Sequence, residues 1–264
     1  QAGKSFTINL LRGAKYVETD ELIPQLVLTN DNGTFAETGT IAGQSVTQFP
    51  QTYAVNKLFL LDSQGFFDTR ENLTEFEIAG LLLLEMALRK AKSVRAICVI
   101  NYKQLTAGHV EMAKPGEIIK RIFMNTDKKL LDIFFVFNRI KIDSDRIESK
   151  AKSITNPQER YDFYVQHIID YIKKIVLALK KDQTTEYFDM LLYNANQRNI
   201  GVCMYNDEAM LNILRNQLVK IPVIAQDNIL LYRASDNRQQ FQINLIYSMI
   251  VGLSQAMKHY LLLK

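Results

Sequence analysis

Apolar and polar positions follow two regimes along this chain of 264 residues. In the first half, short apolar runs bounded by turn formers predominate. Gln51 to Ala54 and Lys57 to Leu61 read as two strands, and Leu58-Phe59-Leu60-Leu61 is nearly continuous, as in strands buried on both faces of a sheet. Val94 to Tyr102 and Leu131 to Phe137 are two more β-rich runs, with a helix predicted around residues 116–124 between them. Strand, helix and strand alternate at the spacing of parallel crossover units, which predicts a wound α/β sheet. Thr74 and Glu77 form a capping-box signal for a helix running to about Arg89, apolar on most sides and needing partners on more than one. Residues 29–49 are crowded with Asn, Asp, Gly, Thr and Ser and hold little to bury, which predicts a mobile loop.

Beyond Phe137 the period changes. Tyr161, Tyr164, Ile168, Tyr171, Ile172, Ile175 and Leu179 recur every three or four residues, one apolar stripe of a helix. Further helices are expected at about Thr185 to Asn194 and Asp207 to Val219, a last strand at Ile229 to Tyr232, and a closing helix from Gln239 to Leu263. The expected architecture is an α/β three-layer sandwich of the phosphate-loop class. A mostly parallel sheet is flanked by helices, and the whole chain forms one domain with a mainly helical insert at about 145–225.

Composition narrows the chemistry. With 47% hydrophobic and 23% charged residues the chain has enough apolar material for a full core. The net charge of +4 arises from 32 basic and 28 acidic residues spread along the sequence, which leaves no footprint for nucleic acid. Two distant cysteines, Cys98 and Cys203, exclude a disulfide scaffold and suit a reducing, cytoplasmic setting. Attachment to the cytosolic face of a membrane would come through regions outside this sequence. The longest apolar stretch, Ile78 to Leu84, is too short to span a bilayer. The three histidines, His109, His167 and His259, lack metal-ligand spacing, and no G-x-S-x-G, H-E-x-x-H or C-x-x-C occurs.

The chemistry sits at the start of the chain. Ala2-Gly3-Lys4-Ser5, followed by a short helix over Phe6 to Leu11, is the second half of the phosphate loop G-x-x-x-x-G-K-[ST]. The first glycine and the strand leading to it are expected upstream of Gln1. In such a loop the lysine reaches the β- and γ-phosphates, the hydroxyl ligates Mg2+, and the helix N-terminus offers unpaired N–H groups. Asp62-Ser63-Gln64-Gly65 directly follows the apolar strand. An Asp in that place holds Mg2+ and the glycine offers its N–H to the γ-phosphate.

Ser45-Val46-Thr47 and Leu60-Leu61-Asp62-Ser63-Gln64-Gly65-Phe66-Phe67-Asp68-Thr69 resemble the septin-related immunity-associated GTPases (GIMAPs), which read S-V-T and V-D-T-P-G-L-F-D-T here. Plant chloroplast-import GTPases are similar. Tyr102-Lys103-Gln104-Leu105-Thr106 resembles the family's G-R-F-T turn, and Asp236-Asn237-Arg238 its late N-N-R element. The resemblance implies a GTP/GDP- and Mg2+-dependent switch in which Thr47 closes over the ion and the γ-phosphate, with Thr38 or Thr40 as competitors. Phe66 stands where related enzymes carry a water-positioning Gln. Hydrolysis is therefore expected to be slow unless an activating protein or a second copy completes the site. Asn138-Arg139-Ile140-Lys141 resembles the base-reading T-R-x-D without its Asp. Guanine selectivity would then rest on Asp143 or Asp145, or be relaxed toward adenine. Asn237 would lie beside the base, or else cap a helix. Nucleotide-dependent self-association is expected through the helix after Gly65. The alternatives are a nucleotide-binding scaffold without turnover and an ATP-using enzyme of the same loop class.

Overall fold

The computed structural model describes residues 3–18, 26–29, 35–36, 50–62, 83–84, 86–88, 90–106, 132–138, 145–179 and 186–224. Helix α1 (Lys4–Leu11) is buried from Phe6 through Leu11, as expected for an apolar helix enclosed on every side. Two short strands follow, β1 (Tyr16–Glu18) and β2 (Leu26–Leu28), paired antiparallel. Strands β3 (Gln51–Val55) and β4 (Leu58–Asp62) form an antiparallel hairpin closed by Asn56 in the left-handed conformation (φ 52°), which asparagine tolerates better than most residues.

The centre of the molecule is a parallel sheet of β5 (Ala96–Asn101), β6 (Ile133–Asn138) and β7 (Ile200–Cys203), in the order β5-β6-β7. Every residue of β6 is buried, which accounts for its unbroken apolar run Ile-Phe-Phe-Val-Phe. A short helix α2 (Tyr102–Thr106) leaves β5 at once, because the Asn101 side chain accepts a hydrogen bond from the Lys103 N–H (3.1 Å) and turns the chain. Helices α3 (Asp145–Ser153), α4 (Pro157–Leu179), α5 (Glu186–Asn196) and α6 (Glu208–Leu218) complete the fold. Pro157 opens α4 and Asn156 caps it by accepting from the N–H of Gln158 (2.8 Å). Asp207 caps α6 by accepting from Met210 N–H (3.1 Å). Helix α4 packs against α5, α6 and β7. Its buried Tyr161 hydroxyl donates to Gln217 of α6 and accepts from the Val202 N–H of β7. Among the described residues no helix is long and apolar enough to cross a membrane.

The mixed α/β class, the strands β5 and β6 and the helices α4, α5 and α6 agree with the sequence pattern. Three expectations are corrected. First, the region expected as a mainly helical insert also supplies β7, the strand that neighbours β6. A Cβ on Gly201 would come within 2.6 Å of Phe134 and 2.8 Å of Leu214, so the glycine that weakens the strand signal is what lets α6 lie close on the sheet. Second, β4 is not buried on both faces. Its described sheet partner is β3 alone, and Phe59 is 80% exposed. Third, the loop over residues 29–49 does bury part of itself: Ala36 is buried and Phe35 half-buried. Helix 74–89 is described only in part, helical at 83–84 and 86–88 with Leu84 buried. The expected helix at 116–124, strand at 229–232 and helix at 239–263 lie outside the described residues.

Candidate phosphate-binding site

Gly3 enters α1 in the left-handed conformation (φ 76°, ψ 33°), and no side chain caps the helix. Its carbonyl accepts from the Thr7 N–H at 2.9 Å, while the first-turn N–H groups ahead of it lack helical partners by the geometry of any helix start. Lys4 and Ser5 occupy that turn. Ser5 Oγ donates to Asp62 Oδ2 at 2.7 Å, joining α1 to the end of β4 across 57 residues. Asp62 is 1% exposed. Burial pushes the Lys4 ammonium below its usual lysine range, and the neighbouring Asp62 and Cys98 work against that shift. Cys98, on β5, is itself pushed up to about 12 by burial, with Lys4 opposing. Such a thiol is a packing group and not a nucleophile.

Asn138 braces this turn from below. Fully buried at the end of β6, it donates from Nδ2 to the Gly3 carbonyl (3.3 Å) and Thr7 Oγ1 (3.2 Å). A Cβ on Gly3 would lie 2.5 Å from that nitrogen. The resemblance places Asn138 by a nucleotide base; in the structure its amide nitrogen meets the Gly3 carbonyl and Thr7 Oγ1 and so supports the backbone of the turn. Thr7 in turn hydrogen-bonds the Cys203 thiol at the end of β7. Burial raises that thiol to about 12, against the smaller effects of Thr7 and Arg215. The loop therefore stands on the carboxyl ends of β6 and β7, the side on which open parallel sheets receive ligands.

Three further residues hold α1, and the sequence pattern passed over all of them. Asn9, wholly buried, donates to the Tyr16 hydroxyl (3.0 Å) and to the Ala36 carbonyl (2.7 Å) and accepts from the Ala36 N–H (2.7 Å). The Arg12 guanidinium lies 5.6 Å from the Phe35 ring centroid and 5.1 Å from that of Tyr53. Arg215 of α6, also buried, donates to the carbonyls of Leu11 (2.7 Å) and Leu10 (2.9 Å), while Glu208 and Asn212 accept from its other nitrogen. A cation on the last carbonyls of a helix meets the negative end of its dipole. One signal was available. A helix apolar enough to be buried all round, yet carrying Thr7 and Asn9, must find partners for both.

The structure thus brings together Gly3, Lys4, Ser5, Asp62 and Asn138. Thr47, Gly65, Arg139 and Asn237, together with Gln64, Phe66 and Lys141, lie outside the described residues. His167 belongs elsewhere: it pairs with the Tyr102 hydroxyl at 3.3 Å, and burial lowers its proton affinity. Among the described residues no group of three or more His, Cys, Asp or Glu side chains could hold a metal ion. The Ser5 hydroxyl and Asp62 carboxylate supply two hard oxygen donors side by side. That pair suits Mg2+, which keeps several waters and takes its remaining ligands from phosphate oxygens. Helix N–H groups, one ammonium and this oxygen pair together fit a polyphosphate carrying a divalent cation. Comparison with protein-family models, curated proteins and solved structures finds no match to the chain.

Proposed function

We propose that this protein is a guanine-nucleotide-binding switch of the phosphate-loop class, akin to the immunity-associated GTPases, with slow Mg2+-dependent hydrolysis. The observation that carries the reading is the Ser5–Asp62 hydrogen bond at 2.7 Å beside Lys4 and the left-handed Gly3. These groups come from two elements 57 residues apart and lie side by side, which supports the reading. Lys4 and the helix N–H groups bind and orient the β- and γ-phosphates. Ser5 and Asp62 would hold Mg2+. The ion supplies charge neutralisation on the phosphate oxygens when bound. Asn138 keeps the Gly3 carbonyl turned away from the ligand. Thr47 and the Gly65 N–H would sense the γ-phosphate, Arg139 and Asn237 would flank the base, and the apolar helix at about 74–89 would meet a second copy.

Titrating GTP, GDP and ATP with Mg2+ against the native protein and Lys4→Ala, then measuring phosphate release, tests this reading. GTP and GDP are expected to bind, with GTP lost in Lys4→Ala and turnover low. No nucleotide binding to the native protein would refute it. Equal affinity for ATP would show that Lys141, in place of the base-reading Asp, has relaxed selectivity. Identical gel-filtration elution with GDP and with a non-hydrolysable GTP analogue would sink the self-association.

A further inference from the structure

Helix α1 carries the candidate phosphate turn at one end and an anchor for the chain at Phe35–Ala36 at the other. We infer that Asn9 and Arg12 are positioning residues that couple occupancy of the Gly3–Lys4–Ser5 turn to the backbone at Ala36, an inference that rests on the phosphate-site reading above.

Asn9 lies five residues beyond Lys4, about 7.5 Å along the helix axis. Both donors of its amide are used, one on the Tyr16 hydroxyl of β1 and one on the Ala36 carbonyl, and its oxygen takes the Ala36 N–H. The grip on Ala36 is two-point and entirely to backbone. It therefore fixes the path of the chain there whatever side chain stands at 36. Arg12, one turn on, lies near the rings of both Phe35 and Tyr53, linking the residue before Ala36 to the β3–β4 hairpin. That hairpin ends in Asp62, which returns to Ser5. The path closes on itself: Ser5, α1, Asn9 and Arg12, residues 35–36, Tyr53, β4, Asp62 and Ser5 again. A ligand that draws Ser5 and Asp62 to one cation stiffens one side of this ring, and the response this produces at Ala36 acts back on affinity by linkage.

Hydrogen exchange followed by mass spectrometry over the peptide containing residues 35–36, with and without Mg2+-GTP or Mg2+-pyrophosphate, reads the coupling. The native protein is expected to slow exchange at the Ala36 amide about tenfold on ligand binding. In Asn9→Leu, which keeps the branched shape and removes the grip, the amide should exchange fast in both states, and affinity for the ligand should fall about tenfold by reciprocity. Arg12→Met leaves the buried amide cluster intact, so it remains informative should Asn9→Leu fail to fold. It is expected to give a smaller change of the same sign at both places. Ligand binding with unchanged exchange at Ala36 would overturn the coupling alone, as would native affinity in a folded Asn9→Leu. A native protein that binds neither GTP nor pyrophosphate refutes the phosphate-site reading and the coupling with it. Fast Ala36 exchange in the native protein without ligand would refute the anchor itself.

Discussion

Replacing Gly3 by alanine should destabilise the protein through two separable effects. The first is the left-handed backbone (φ 76°), which costs an L-residue about 1–2 kcal/mol. The second is contact. The new Cβ would lie 2.5 Å from Asn138 Nδ2, so the fully buried amide must swing away from the Gly3 carbonyl and Thr7 Oγ1. Leaving such groups unsatisfied costs about 1–3 kcal/mol. The total is about 2–5 kcal/mol. Gly13 supplies the internal control. Its φ is 90°, and a Cβ there meets nothing within 4 Å, so Gly13→Ala should show the backbone cost alone, about 1–2 kcal/mol. Urea unfolding monitored by circular dichroism measures both. In the double variant Gly3→Ala/Asn138→Ala the clash has no target, so its destabilisation should be less than the sum of the two single changes. Equal destabilisation by Gly3→Ala and Gly13→Ala, or strict additivity with Asn138→Ala, would refute the argument that Asn138 is packed against the phosphate turn.

Two further changes probe the supports of α1 and α4. Arg215→Met takes a donor from the Leu11 carbonyl in a buried setting, leaves the Leu10 carbonyl only the Gly13 N–H, and removes a cation from the end of α1, which should cost about 2–4 kcal/mol in urea unfolding; Arg215→Lys should recover less than half of that, and full recovery would sink the two-carbonyl fork. Burial holds the proton affinity of His167 below its usual 6.5, with Asp170 opposing and Lys174 adding to the effect. The unfolded chain therefore takes up the proton more readily, and stability should fall as pH drops below about 6.5 and stay level above it. His167→Gln should flatten that slope between about pH 5 and 7, and an unchanged slope would show that His167 does not set it.

The meeting of the Gly3–Ser5 turn with Asp62 was legible in the sequence because the motifs read there set fixed residue types in a fixed order. Asn138 was singled out for the base, and its contact with the turn was not foreseen. Its placement after a buried strand could be read, but its grip on Gly3 spans 135 residues and leaves no local pattern. Strand β7 escaped because it is short and contains Gly201, whose value appears only once Phe134 and Leu214 are packed against it. Asn9 and Arg12 were hidden for a related reason. A polar residue in an apolar helix announces that it needs a partner, but not that the partner is the backbone of Ala36. Hydrophobic periodicity reports which face of an element is buried; it is silent on which distant element a buried polar atom will choose.

The clasp of Arg215 on Leu10 spans 205 residues, and this bears on the order in which the protein can be made. Helix α1 leaves the ribosome before the amide that braces its first turn and the cation that closes its last, which are translated long afterwards. A nascent chain ending before β6 has the Gly3–Ser5 residues without the Asn138 floor they rest on. Long loops must close before those contacts form, so α1, synthesised before β6 and α6, locks only after both. Under the proposed function, ligand capture at this turn would need β6 and α6 in place, and binding by a truncated nascent polypeptide is not expected.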